Sequence, residues 1–352
     1  MINFGIVGLG RIGKVHLSNL QSYCPQAKVI AASPVKPKHK VLLEEYGIVH
    51  HCETFEEMME VPNLDAVVIA SPTAYHYDHI LQAAKAGKHI FCEKPIDLNY
   101  EKVQTVTQTV AAAGVQFMVG FNRRFDPHIQ QLKSVIEEGK IGKPRILKIT
   151  SRDPAPPPIA FIKDSGGLFL DMSIHDFDMA RYLVNDEVVQ VYAHGSVFGD
   201  LPLQQYDDID TAVITLVFKK GCMVQIDNSR YSTYGYDQRV EVFGENGMTA
   251  TQNVLDNSVQ IANATGHHTA RSKHFFIERY AESYRNVLLD FIDTLIHKQP
   301  PSISADDELA ALAIAMAAKK SLKVKTRVIT AVSISTKLLS SGKSNCCQSS
   351  KT

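Results

Sequence analysis

Short apolar runs alternate with amphipathic stretches through the first third of the chain. The runs KVIAA and AVVIA are β-branched or Ala-rich with no polar alternation, the pattern of strands buried on both faces. This patterning predicts strands over 3–7, 28–32, 66–70, 89–92 and 116–120. It predicts helices over 13–22, 38–46, 77–86 and 100–113. Strands alternating with helices imply a parallel, doubly wound sheet with right-handed crossovers, an α/β class.

After about Arg123 the pattern changes. A helix is predicted over 127–138, then a strand in RILKITSRD. APPP breaks that strand, and SGGLFLDMSIHDFDMARYLV reads as one long helix after a Gly pair. From Val188 to Thr249 strand-like runs are separated by turns containing Gly and Asp, which gives a largely antiparallel or mixed sheet. Two helices follow, over 278–297 and 306–322. Ser304 is placed to cap the second, ahead of acidic residues that suit its positive end. The tail over 335–352 is rich in Ser and Lys, lacks aromatic residues and is expected to be disordered.

Composition narrows the function. Lys+Arg and Asp+Glu number 37 each, so no charge excess points to nucleic acid. No apolar run has the roughly 20 residues a bilayer span needs. The opening MINFGIVGLG reads as a buried strand and not as a secretory signal, so a cytoplasmic location is expected. The six cysteines are scattered without zinc-site spacing, which suits free thiols in a reducing compartment and no metal.

Gly8, Gly10 and Gly13 form GLGRIG between the first strand and the first helix. Gly8 permits the tight turn, Gly10 lets backbone approach a pyrophosphate, and Gly13 lets helix and strand pack closely. With Arg11 and Ile12 they make a dinucleotide loop at a helix N-terminus. The ribose-reading residue belongs at the end of the second strand, where NAD sites usually carry a carboxylate. KVIAASPVKPKHK places Ser33 there, with Lys36 close behind and no acid. A hydroxyl and an ammonium can hold a 2′-phosphate, which tilts the cofactor from NAD toward NADP. Ser71, Pro72, Thr73 and His76, after the third predicted strand, belong to a further cofactor-lining loop.

The fourth predicted strand ends in Glu93, Lys94 and Pro95, beside the dinucleotide crevice. An ammonium there can hold a substrate oxygen and stabilise a developing alkoxide. Asp171, His175 and Asp178 recur at spacings of four and three, which places them on one helix face. His175 suits a general base for hydroxyl deprotonation, with Asp171 one turn earlier to orient it.

At these residues the chain resembles the glucose–fructose oxidoreductase, inositol dehydrogenase and MocA family. The matching features are GIVGLGRIGKVH, the SPT loop, CEKPIDL, VGFNRRFDP and DMSIHDFDMARYL. SRDPAPPP, the SGG pair, YGYDQR and FFIERYAESY look like its inositol 2-dehydrogenase members. The resemblance implies a Rossmann domain over 1–122. Over 123–330 it implies an α+β domain with an open-faced, mostly antiparallel sheet that binds substrate and assembles a homotetramer. It implies catalysis by Lys94, Asp171 and His175, with hydride passing from a small polyol, myo-inositol first, to NAD or NADP. It places Asp178, Tyr234, Tyr236 and Tyr280 on substrate hydroxyls, and Arg124, Arg152 and Asp153 at the cleft. Two readings compete. One is an NADP-dependent dehydrogenase of scyllo-inositol or another sugar. The other is a cofactor-binding regulator without catalysis, for which Lys94, Asp171 and His175 would have no chemical use.

Overall fold

The structure is a computed structural model, and it describes residues 1–330. The expected disordered tail lies outside those residues. The first half runs β1 (Ile2–Val7), α1 (Arg11–Tyr23), β2 (Ala27–Ser33), α2 (Lys40–Glu45), β3 (His50–His51), α3 (Phe55–Met59), β4 (Ala66–Ile69), α4 (His76–Lys85), β5 (His89–Cys92), α5 (Tyr100–Ala113) and β6 (Phe117–Val119). All six strands are parallel, in the order β3-β2-β1-β4-β5-β6. Ala66, Val67, Val68 and Ile69 are each fully buried, as the unbroken apolar run requires. The strand order reverses between β1 and β4, and the crevice beyond their carboxyl ends is where such sheets bind ligands.

The pattern missed β3 and α3, which are too short for a periodic signal. A cap signal for α3 was nevertheless present. Thr54 accepts from the Glu57 N–H, and the Glu57 carboxylate accepts from the Thr54 N–H.

The second half runs α6 (Pro127–Glu137), β7 (Pro144–Arg152), α7 (Ile159–Asp164), α8 (Leu168–Asp171), α9 (Ser173–Val184), β8 (Val188–Ser196), β9 (Thr211–Phe218), β10 (Met223–Ser229), β11 (Asp237–Gly244), β12 (Met248–Thr251), β13 (Gln260–Asn263), β14 (Gly266–Thr269), α10 (Phe276–Arg279), α11 (Ala281–His297), α12 (Ala305–Val324) and β15 (Val328–Ile329). Seven of these strands form a mixed sheet in the order β12-β11-β7-β10-β9-β8-β15, in which β7 and β10 run parallel. Its inner face packs on α9 and α12. Its other face is open and carries a cross-strand row. Met223 lies opposite Val217 and Ile146, Ile146 opposite Phe243, and Phe243 opposite Met248. Ser304 caps α12, with Asp307 returning the bond to the Ser304 N–H. Among the described residues no helix is long and apolar enough to cross a membrane.

The long helix expected over 165–184 is two helices. The chain kinks at Met172, and the His175 N–H reaches back to the Met172 carbonyl, 3.4 Å away, instead of to Asp171. That slip frees the Asp171 carbonyl, which accepts a hydrogen bond from Lys94 Nζ at 2.7 Å. The break is what lets the last residue of α8 face the end of β5.

Candidate active site

The dinucleotide loop has the shape its glycines call for. Gly8 has φ +91°, and a Cβ there would stand 2.4 Å from the Ala70 carbonyl oxygen. A Cβ on Gly13 would stand 1.8 Å from the Gly8 carbonyl oxygen, so α1 can start this close to β1 only on a glycine. A Cβ on Gly10 would meet nothing within 4 Å, so this backbone faces open space, as an approach to a pyrophosphate requires. These residues fit a dinucleotide. Arg11 points away from the strand and lies over the Phe275 ring, 5.2 Å from its centroid. Ile12 packs against a buried group of Tyr236, Tyr280 and Tyr284 from the second half. The loop therefore also packs against the second half of the chain.

The loops beyond β4 and β5 are locked together by His76. Its ring nitrogens lie 2.7 Å from the Ser71 carbonyl oxygen and 2.8 Å from that of Pro95. The side chain is buried, with both ring nitrogens on backbone carbonyls, so its place is to hold the loops together. It positions the loop whose Pro72 and Thr73 reach outward. Ser71 Oγ contacts His79 Nδ1 at 3.1 Å. The Glu93 carboxylate is met by His16 Nε2 of α1 at 2.7 Å, a partner the sequence did not suggest. Both peptides Ser33–Pro34 and Lys94–Pro95 are cis.

Lys94, Asp171 and His175 converge, though in a different arrangement from the one the helix spacing suggested. Asp171 does not hold the imidazole. Its carboxylate lies 3.7 Å from Lys94 Nζ and accepts from Arg230 Nη1 at 3.2 Å. His175 Nδ1 is buried without a partner, and its ring packs edge-on against Phe121. Burial pushes the His175 pKa well below the ordinary 6.5, and the charges of Lys94 and Arg123 push the same way. The ring is thus neutral and able to accept a proton at pH 7. Asp153 joins the group. Burial raises its pKa to about 6, the Asp171 charge adds to the rise, and Arg230 and Arg123 oppose it.

Strand alternation decides which candidates face this cluster. Successive side chains of β7 point to opposite faces. Ser151 therefore faces inward, and Arg152 lies on the open face of the sheet. There Arg152 donates to Asp227 at 2.6 Å and to Tyr234 Oη at 2.9 Å, and Tyr234 donates to Asp237. Arg152 and Tyr234 are accordingly not brought to the cleft.

Arg124 and Asp178 are not brought there either. Both are buried, Arg124 Nε donates to Asp178 at 2.9 Å, and Arg124 Nη2 donates to Asp307 of α12 at 2.8 Å. The short helical turn 122–125 instead turns Arg123 inward. Arg123 donates to Asp176 at 2.7 Å and to Tyr236 Oη at 3.3 Å, and it lies over the Tyr280 ring.

Sequence reasoning missed Arg123, Arg230 and Glu308. Arg230 is a fully buried guanidinium whose Nε and Nη2 have no partner. Its place directly after β10 was a signal, since chemistry gathers at strand ends. Glu308, on α12, is fully buried with neither oxygen partnered. Burial pushes its pKa up to about 8, and the Lys94 ammonium pulls the other way.

The fold therefore binds Glu308's proton more tightly than the unfolded chain does. Its contribution to stability is fully present below pH about 4.5 and is lost as pH rises through about 8. Glu308→Gln imitates the protonated acid. The variant should gain on the parent in thermal unfolding as pH rises from 5 to 9, by on the order of a few kcal/mol. A gap that stays constant with pH would show that Glu308 does not titrate there.

Comparison with known proteins gives the family and the fold. The oxidoreductase family described as NAD-binding Rossmann fold, GFO/IDH/MocA, matches residues 2–121, and the C-terminal domain of the same family matches 129–250. A myo-inositol 2-dehydrogenase of Thermotoga maritima is 44% identical over 93% of this chain and 98% of its own length. An inositol 2-dehydrogenase of Rhizobium meliloti is 41% identical over 93% of this chain and 98% of its own. The crystal structure of scyllo-inositol dehydrogenase from Lactobacillus casei, with bound NAD(H) and scyllo-inositol, superposes with a TM-score of 0.87 at 32% identity, covering 94% of this chain and 99% of that one.

Proposed function

The chain belongs to the glucose–fructose oxidoreductase, inositol dehydrogenase and MocA family of NAD-dependent oxidoreductases, and from that premise we propose that it oxidises a ring hydroxyl of myo-inositol to the 2-keto product. The observation that supports this most is the meeting of Lys94, a neutral His175 and Asp171 at the mouth of the dinucleotide crevice. When bound, the nicotinamide supplies the hydride acceptor. The protein's part is to bind the polyol, hold the reacting oxygen and take its proton. Lys94 spends one donor on the Asp171 carbonyl, leaving others for the substrate oxygen. That ammonium stabilises charge as the O–H breaks. His175 accepts the proton. Asp171, held by Arg230, keeps Lys94 aimed. Asp153 and Tyr236 offer an acceptor and a hydroxyl to the remaining ring hydroxyls, and Tyr280 closes the wall.

A homotetramer that uses the open sheet face fits the exposed apolar row of Met223, Ile146, Phe243 and Met248. A cytoplasmic role in inositol catabolism suits the free buried thiols of Cys24, Cys52, Cys92 and Cys222.

Purified protein given myo-inositol and cofactor should produce reduced nicotinamide. Its rate should fall below pH about 6 as Asp153 takes up a proton. Turnover only with scyllo-inositol would move the substrate to that isomer. Cofactor binding with no turnover on any inositol or sugar would favour the regulator.

A further inference from the structure

α8 is a single helical turn, Leu168–Asp171, and so short a helix does not hold its shape or place unaided. Its two ends are bonded by charged side chains from elsewhere in the chain. At the carboxyl end the Lys94 ammonium donates to the Asp171 carbonyl at 2.7 Å. At the amino end the preceding residue, Gly167, has no side chain to cap the turn. The cap comes from Asp208, in the loop between β8 and β9, whose Oδ1 accepts the Leu168 N–H at 2.8 Å. Each charge thus stands at the end whose free backbone groups it can satisfy, a carboxylate on an N–H and an ammonium on a C=O.

The approach of Asp208 depends on the glycine pair ahead of α8. Gly167 has φ +88°, and a Cβ there would stand 2.7 Å from Asp208 Oδ1. The Gly167 carbonyl in turn accepts the Asp171 N–H at 3.0 Å. Asp208 is buried, and its second oxygen has no partner, a cost to stability that an ordinary loop residue need not carry. Asp208 is itself held, since its N–H donates to the carbonyl of the fully buried Leu203 at 3.2 Å. Two residues on, the Asp210 carboxylate accepts the N–H groups of Phe198 and Gly199, each at 2.8 Å, and ties the loop closed. The Asp210 carbonyl accepts the N–H of Arg230 at 2.8 Å, and Arg230 is the residue that holds the Asp171 carboxylate. One short segment, 208–210, therefore fixes Asp171 from two directions.

We propose that Asp208 is a positioning residue of the reaction: as the remote cap of α8 it sets where the Asp171 carbonyl stands, and so aims Lys94 at the substrate oxygen. The proposal rests on the dehydrogenase reading of Lys94 and His175. Asp208 acts through α8 and not on the substrate.

The test is Asp208→Ala in the full chain, with kcat counted per cofactor-binding site so that misfolded protein does not enter. That kcat should fall about tenfold, because small displacements of an aimed group cost this much or more. Cofactor affinity, followed by fluorescence, should stay within about twofold of the parent. Asp208→Asn, which keeps an acceptor oxygen for Leu168, should bring kcat back to within about threefold. In a Lys94→Ala background the same Asp208→Ala change should add less than about twofold, since the group it aims is gone. Should Asp208→Ala fail to fold, Asp208→Ser, a polar side chain one atom shorter, takes its place. A parental kcat in the cap-deleted enzyme, an undiminished loss on top of Lys94→Ala, or an Asp208→Asn enzyme as slow as Asp208→Ala overturns the proposal. If the parent turns over no inositol or sugar, the dehydrogenase reading fails, and amide exchange decides the cap by itself. The Leu168 N–H should then exchange about tenfold or more faster in the cap-deleted chain than in the parent, and equal rates overturn the cap as well.

Discussion

His175→Ala should lower kcat by about 10²- to 10⁴-fold while leaving cofactor affinity intact. The imidazole is the one uncharged, proton-accepting ring at the cluster. Burial and two neighbouring cations keep it neutral far into the acid range. Asp171 cannot replace it, because its carboxylate is committed to Lys94 and Arg230. Lys94→Ala should cost about 10²–10³-fold, the usual penalty for removing one donor aimed at a developing oxyanion. The measurement is single-turnover reduction of cofactor, with binding followed separately by fluorescence. A His175→Ala enzyme that keeps kcat within fivefold of the parent would remove the histidine from the proton step. Loss of cofactor binding in parallel would show a structural role instead.

Arg124→Ala should destabilise the fold by about 3–5 kcal/mol, because it leaves Asp178 as a buried charge without its partner. Asp178 is fully enclosed, and its carboxylate is held by Arg124 alone among the described residues. The same guanidinium reaches Asp307, which also receives Arg181 at 3.3 Å, so the pair ties α9 to α12. Calorimetry should show a Tm lower by about 5–10 °C. The remaining folded enzyme should keep its KM for polyol within about twofold. A tenfold rise in KM with an unchanged Tm would put Arg124 and Asp178 back on the substrate.

How much of the site was legible depended on the kind of element that carries each residue. Residues at strand ends and glycine turns were readable, since Gly8, Gly13 and Lys94 obey local rules that any parallel strand followed by a helix imposes. Residues on helices and at turns were readable in identity and unreliable in direction. Spacing put Asp171, His175 and Asp178 on one helix face, but the break at Met172 puts Asp171 and His175 on separate helices, and Asp178 turns to Arg124. The motif NRRF marked a pair of arginines, and a turn of 3₁₀ geometry chose Arg123 for the cluster and Arg124 for the core. Arg152 and Asp153 are neighbours in sequence, yet the alternation of β7 separates them.

What the sequence determined by itself is therefore the class of fold, the alternation of parallel strands and helices in the first half, and the dinucleotide loop. These follow from periodicity and from backbone conformations that few residues tolerate, both local properties. Only the tertiary structure decided the rest. It buried Ser33 and exposed Pro34, gave Asp171 to Lys94 and Arg230, brought Arg230 and Glu308 in from distant segments, and sent Arg152 and Tyr234 to the open sheet face. Those outcomes turn on which face of an element meets the core, and on desolvated charges finding partners tens of residues away. No local pattern in the chain encodes either.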